Sequence, residues 1–68
     1  MRYAVVIEKA GSNYSAYVPD LPGCIATAAT ILEIESEIRD GIRFHLDGLK
    51  EDGFTAHPPT SIAKYVEA

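Results

Sequence analysis

The chain has 68 residues, a formal net charge of −4 and a single cysteine, Cys24. A chain of this length makes one domain, residues 1–68. One cysteine cannot form an internal disulfide. Cys24, His45 and His57 lack the spacing of metal ligands. The acidic balance argues against direct contact with nucleic acid, no apolar run approaches the roughly 20 residues that cross a bilayer, and no secretory leader precedes the first strand pattern.

These exclusions favour a cytoplasmic domain that contacts no membrane and needs no metal or cofactor. A domain this small buries only about 60% of the surface that its unfolded chain exposes, so its own core is marginal. Disulfides, metals or self-association usually supply the missing stability. With the first two excluded, we expect a homodimer or a higher homo-oligomer.

The first part of the chain predicts three short strands. Residues 3–8 are rich in β-branched and aromatic side chains, which is typical of a strand. Turn residues at 10–13 separate it from a second strand at 14–18, so the two form a hairpin. A third strand is predicted at 24–28.

The second and third strands are separated by the sequence Pro19-Asp20-Leu21-Pro22-Gly23, which interrupts any strand. Pro22 and Gly23 suit the two central positions of a type II turn, because proline presets φ and glycine accepts a positive φ. Pro19, Asp20, Pro22 and Gly23 therefore form the predicted structural turn motif.

A long amphipathic helix follows. Thr30 and Glu33 have the spacing of a capping box, and the helix is predicted to run to about Lys50 or Glu51, with Gly53 in the left-handed cap. Its apolar positions recur every three or four residues, which places them on one stripe: Ile31, Ile34, Ile38, Ile42, His45, Leu46 and Leu49. Gly41 and Gly48 lie within the predicted helix, either because something packs closely against them or because the cost of about 1 kcal/mol each is tolerated.

After the helix, Pro58 and Pro59 predict an extended link, and residues 61–67 read as a fourth strand. With three antiparallel strands and one returning helix, the last strand runs parallel to the first and lies beside it. The predicted fold is α+β, with β-β-β-α-β order and a four-stranded mixed sheet of order 3-2-1-4 under one helix. The other face of the sheet keeps apolar side chains, which we expect a second subunit to cover.

The helix segment between Thr30 and Gly53 holds seven acids and three bases, which accounts for the whole net charge of −4. At about 100° per residue, six residues fall in one narrow strip, named here the acidic stripe: Glu33, Glu37, Asp40, Phe44, Asp47 and Glu51. One interpretation is a solvated face with i,i+4 pairs such as Glu35 with Arg39. The other is an acidic ridge with an aromatic anchor, which binds a basic protein partner.

No residue set predicts catalysis. His45 lies on the apolar stripe, where a buried, hydrogen-bonded histidine is the ordinary interpretation, and Cys24 is expected to be an inert buried thiol. The predicted strand order resembles half of a ribonuclease H-type sheet, whose two-metal chemistry needs several converging acids. The strand acids Glu8 and Glu67 lie near strand ends instead, so we predict no enzyme and no catalytic residues.

The segment Tyr17-Val18-Pro19-Asp20-Leu21-Pro22-Gly23-Cys24 resembles the P-D-L-P-G-C signature of HicB-like antitoxins. The opening strand at 3–8, the helix start at Thr30 and Glu33, the helix end at 42–53 and the closing Tyr65-Val66-Glu67 are similar to the same family. The resemblance covers essentially the whole chain. It implies the partial ribonuclease H-like fold of that family.

The resemblance also implies a function. Family members are dimeric antitoxins of type II toxin–antitoxin systems, and they neutralise a HicA-like toxin, a small basic mRNA-cleaving ribonuclease, by occluding its active surface. The alternative is an orphan HicB-like binding or regulatory domain with a different partner, and a residual nuclease is a third hypothesis. Full-length members carry a C-terminal DNA-binding domain that these 68 residues do not include, so we do not expect this chain to bind operator DNA itself.

Overall fold

The structure is a computed structural model that describes residues 1–56 and 58–68. These described residues form three strands and one helix, in the order β1 (Val6–Ala10), β2 (Asn13–Tyr17), β3 (Ile25–Ala28) and α1 (Ile31–Glu51). The strands form one antiparallel sheet of order β1-β2-β3. The predicted α+β class and the first four elements are confirmed.

A two-residue turn joins β1 to β2. Ala10 pairs with Asn13, so Gly11 and Ser12 form the loop, and Gly11 has a φ of +63°. A glycine with positive φ at the first central position fits a type II′ turn, whose twist matches that of paired strands. The strand β1 begins at Val6, later than predicted, because Val6 faces Tyr17, the last residue of β2.

Two consecutive turns connect β2 to β3. The N–H of Leu21 donates to the carbonyl of Val18 at 3.1 Å, and the N–H of Cys24 donates to the carbonyl of Leu21 at 3.0 Å. Pro22 and Gly23 occupy the centre of the second turn, where Gly23 has a φ of +85°. This is the predicted type II turn, and it is confirmed.

Both ends of α1 are capped by local hydrogen bonds. The Thr30 hydroxyl accepts from the N–H of Glu33 at 3.1 Å, which satisfies one of the free donors of the first turn. At the other end, the N–H of Phe54 donates to the carbonyl of Leu49 at 2.8 Å, and that of Gly53 donates to Lys50 at 3.2 Å. With Gly53 at a φ of +80°, this is a Schellman motif, and it ends the helix as predicted.

The core lies between α1 and the β2–β3 half of the sheet. Ile34 and Ile38 project from the helix, and the helix packs against β3 and β2 rather than β1. Six of the described hydrophobic residues are buried: Ala16, Val18, Leu21, Cys24, Ile34 and Ile38. Ile42 and Leu46 pack at the edge of this cluster, whereas Ile31 is exposed and His45 is half-buried rather than buried.

On the opposite face of the sheet, the large apolar side chains of the paired strands lie in one row. Val6 pairs with Tyr17, which pairs with Ile25, so all three share that face, and Ile25 is 73% exposed. The next row, Glu8, Ser15 and Thr27, is polar. The expected cover of this face by a second subunit stays a prediction.

The predicted fourth strand is wrong in the described part of the chain, and so is the mixed four-stranded order. Residues 61–67 form no strand, and Ile62, Tyr65 and Val66 are almost fully exposed. The physical reason is a contact that holds Thr60 and Ser61 at Asp20, in the loop between β2 and β3. The chain therefore leaves the fold at that loop instead of passing along β1.

The two helix glycines lie where alanine would fit. A Cβ at Gly48 would meet nothing within 4 Å, and one at Gly41 would lie 3.7 Å from Cys24 Sγ, which is an ordinary contact. Neither glycine is required by close packing within this chain. Simple tolerance is therefore the better of the two explanations.

We predict that Gly48→Ala raises the free energy of unfolding by about 0.5–1 kcal/mol, because alanine is the better helix former. Urea denaturation followed by circular dichroism measures the change. Gly53→Ala is the matched control: Gly53 has a φ of +80°, so alanine there should cost about 1–2 kcal/mol. If Gly48→Ala destabilised the protein, the explanation by helix propensity would fail.

Candidate functional site

The acidic stripe lies on the solvent side of α1. Its carboxylates at positions 33, 37, 40, 47 and 51 are all exposed. Helical geometry places these positions on the side of the helix away from the buried Ile34 and Ile38. At 1.5 Å per residue, the stripe extends over about 27 Å. The helix thus presents a long negative surface to solvent.

Phe44 is exposed in the middle of the acidic stripe. Its side chain is 82% exposed, so it is not part of the core of this chain. Burying a phenylalanine side chain against another molecule stabilises the contact by roughly 1.5–3 kcal/mol. Aromatic side chains that become buried at the centre of an interface often dominate its energy. Phe44 has the position and chemistry of such an anchor.

The bases of the helix are separated from the acidic stripe. Arg39 and Arg43 are exposed and line a groove that also contains Arg2, beside β1. One side of α1 is therefore negative and the neighbouring side is positive. A partner with a single basic surface would bind the first side and be repelled by the second.

In the turn motif, the Asp20 carboxylate accepts four hydrogen bonds. This set of bonds is named here the Asp20 clasp. Asp20 Oδ2 accepts from the N–H groups of Thr60 and Ser61 at 3.1 and 3.0 Å. Asp20 Oδ1 accepts from the hydroxyl groups of the same two residues at 2.9 and 3.1 Å. The pKa of Asp20 is lowered, and the hydrogen bond from the Ser61 N–H is the largest cause. Desolvation is the next largest effect and opposes it, whereas the two hydroxyls and the Thr60 N–H lower the pKa further.

The clasp gives the predicted turn motif a second role. Pro19, Pro22 and Gly23 shape the loop, whereas Asp20 ties the loop to a segment 40 residues later. Sequence reasoning placed Asp20 in a turn but missed Thr60 and Ser61 as its partners. A turn carboxylate and a Thr-Ser pair that follows two prolines were the signals that could have found them.

The environment of Cys24 is that of a structural thiol. Cys24 is 5% exposed, and burial raises the pKa of its thiol, so the thiolate needed for attack is disfavoured. His57 lies outside the described residues. Among the residues that the structure does describe, no group of three His, Cys, Asp or Glu side chains could hold a metal ion. None of their helices is long and apolar enough to cross a membrane.

A family model and two relatives match this chain over most of its length. The model of the family described as HicB_like antitoxin of bacterial toxin-antitoxin system matches residues 3–68. An uncharacterized 14.9 kDa protein from the rep-hol intergenic region of Haemophilus phage HP1 is 33% identical over 66 residues, covering 97% of this chain and 50% of that protein. A UPF0150 protein of Archaeoglobus fulgidus is 38% identical over 56 residues, covering 78% of this chain and 81% of that protein.

A solved structure is similar in fold as well as in sequence. A chain of the HicA3 and HicB3 toxin-antitoxin complex superposes with a TM-score of 0.74 and 27% identity, covering 87% of this chain and 70% of that chain. This chain spans half the length of the phage relative and most of the length of the archaeal one.

We predict that Asp20→Asn releases the C-terminal tail, residues 60–68, without unfolding the domain, because the clasp lies on the surface and the core does not include it. The amide and hydroxyl signals of Thr60 and Ser61 in NMR spectra report the loss of these hydrogen bonds.

In the wild-type protein, the clasp should hold at neutral pH and open as the pH falls through the lowered pKa of Asp20, because only the ionised carboxylate accepts all four bonds. Asp47→Asn, which removes an exposed carboxylate elsewhere, is the control; an identical response in both variants would contradict the clasp.

Proposed function

This chain belongs to the HicB-like antitoxin family of bacterial toxin–antitoxin systems, and on that premise we propose that it neutralises a HicA-like toxin by covering the toxin's active surface. The similarity to a chain of the HicA3 and HicB3 complex is the observation that carries this proposal. The mechanism is occlusion. The antitoxin performs no chemistry and instead competes with the toxin's RNA substrate for the same surface.

The acidic stripe is the surface that we propose for the toxin. A toxin that binds RNA needs a basic surface, because phosphates are bound by lysine and arginine. Exposed carboxylates spread over about 27 Å of helix mimic the negative charge of that substrate. Complementary charge accelerates encounter, and burial of Phe44 would then hold the complex together.

The proposed role is non-catalytic. The buried thiol of Cys24 has a raised pKa, and Glu8 lies in β1 whereas Glu67 lies in the exposed tail, so these acids do not form the converging set that a two-metal nuclease needs. A cytoplasmic location and the absence of nucleic-acid contact are parts of the same proposal. They follow from the partner class and the net charge of −4.

A HicB-like module with another partner is the second candidate. The acidic stripe fits any small protein with a basic face, and the phage relative is twice as long as this chain. The neighbouring gene discriminates between these two candidate functions. A short basic reading frame beside this gene supports the toxin proposal, and a captured partner without ribonuclease activity supports the second candidate.

The direct test uses the purified full chain and a purified HicA-like toxin. RNA cleavage by the toxin should fall in proportion to added antitoxin and stop near equimolar amounts. Co-expression should also restore growth of cells that produce the toxin. Persistent cleavage in the presence of excess antitoxin would overturn the proposal.

We predict that Phe44→Ala weakens toxin binding at least about ten-fold, as expected for an anchor that contributes more than 1.4 kcal/mol, with no loss of folding. Phe54→Ala is the matched control, since Phe54 is also a phenylalanine with most of its side chain exposed, at 66%, but lies beyond the helix. Isothermal titration calorimetry measures both. Equal effects of the two variants would contradict the anchor role of Phe44.

We also predict that the double charge reversal of Glu37→Lys and Asp40→Lys slows association and flattens its dependence on salt, because these side chains steer the encounter. Stopped-flow fluorescence or surface plasmon resonance at several ionic strengths measures the rate. The control reverses Glu8, an exposed acid on the sheet. An unchanged association rate in the double variant would assign the carboxylates to the solvated-face interpretation.

A further inference from the structure

The groove between β1 and α1 is large enough to hold a small ligand. Because α1 packs over β3 and β2, the face of β1 on the helix side is only partly covered. Within residues 1–56 and 58–68, no strand pairs with the outer edge of β1. The groove has a volume of about 700 Å³, and sites for small ligands commonly have volumes of about 300–1,000 Å³.

The walls of this groove are largely aliphatic. Val5 and Ile7 line it from the side of β1, and three residues line it from α1: Ile38, Ile42 and Leu46. Ile38 is buried, whereas the other four are half-buried, so part of their apolar surface is still open to water. A ligand that covers this surface gains the free energy of removing it from water.

The rim of the groove is positive. Arg2, Arg39 and Arg43 are exposed and line it together with a single acid among the described residues, Glu35. In a chain with a net charge of −4, this is a local excess of positive charge. Arg39 and Arg43 are four positions apart on α1, where Cβ atoms are roughly 5–6 Å apart. Both guanidinium groups can therefore reach one anionic group, and a guanidinium binds a carboxylate through two parallel hydrogen bonds.

The groove is also elongated. Its lining on α1 extends from Glu35 to Leu46, which is about 16 Å along the helix axis at 1.5 Å per residue. A long wall of branched aliphatic side chains suits an extended alkyl chain better than a flat ring system. The ligand class that combines such a chain with one anionic head is a fatty-acid-type carboxylate.

We infer that this groove is a binding site for a carboxylate with a medium-length alkyl chain. The alkyl chain lies along the aliphatic walls between β1 and α1. The carboxylate accepts hydrogen bonds from Arg39 and Arg43, and Arg2 adds positive charge from the other side. Binding is non-covalent. The inference does not rest on the toxin proposal, because the acidic stripe lies on another side of α1.

The test titrates the full chain with monomeric decanoate and follows ¹H–¹⁵N NMR spectra. The amides of β1 and of residues 35–46 are expected to shift. Binding should tighten from hexanoate to decanoate by up to about four-fold for each methylene that becomes buried. Two matched ligands are the controls, and each should bind at least about ten-fold more weakly: decyltrimethylammonium has the same chain with a cationic head, and acetate has the head without the chain.

The double variant Arg39→Gln and Arg43→Gln tests the rim. It should weaken decanoate binding at least about ten-fold, because it removes both guanidinium groups and leaves the aliphatic walls intact. Both side chains are exposed, so the fold should be retained, and the spectrum of the free variant checks this. Lys9→Gln with Lys50→Gln is the matched control, since it removes the same charge from two exposed positions outside the groove, and it should bind like the wild type.

Several results would overturn the inference. An unchanged spectrum on addition of decanoate shows that the groove does not accept the ligand in solution. Equal binding of decyltrimethylammonium, or equal effects of the two double variants, removes the role of the arginines. Shifts centred on Tyr17 and Ile25 place the ligand on the opposite face of the sheet. Tighter binding of a peptide with the sequence of residues 61–67 assigns the groove to a polypeptide strand.

Discussion

The packing of Ile34 and Ile38 against two strands is the contact on which the rest of the structure depends. A helix is about 10 Å across, and neighbouring strands are about 4.8 Å apart, so one helix covers about two strands. Here those strands are β2 and β3, and the buried cluster has six members among residues 1–56 and 58–68. The remaining strand, β1, is therefore left with a partly open face and an open edge. Both the marginal core and the uncovered groove follow from that single geometric limit.

Local features of the fold could be predicted from the sequence because their hydrogen bonds are local. The type II turn at Pro22 and Gly23, the Thr30 cap and the Gly53 cap each depend on bonds between residues three to five positions apart, so a short motif contains all the partners. Residues 61–67 were misjudged for the opposite reason. Their pattern is that of a strand, but their position depends on Asp20, which lies 40 residues earlier.

The candidate site could likewise be predicted only where local geometry determines it. Helical periodicity was enough to place the acidic stripe and Phe44 together on the solvent side, because 3.6 residues per turn fixes which side chains share a face. What the stripe binds depends on a second molecule, and periodicity carries no information about it. The charge separation along α1 adds a constraint, because a basic partner that fits the carboxylates is repelled by the neighbouring arginines.

The Asp20 clasp has a consequence for entropy. A polypeptide arm that is free from its base samples many directions, and ordering it on a partner costs conformational freedom. In this chain, the carboxylate fixes the backbone of Thr60 and Ser61, so the arm starts from a set point in a set direction and has a reach of about 23 Å over its next seven residues. Less freedom remains to be lost when the arm is immobilised, and more of the contact energy is expressed as affinity. The Asp20 carboxylate thereby affects the affinity with which the end of the chain can be bound, although it lies at the start of the arm.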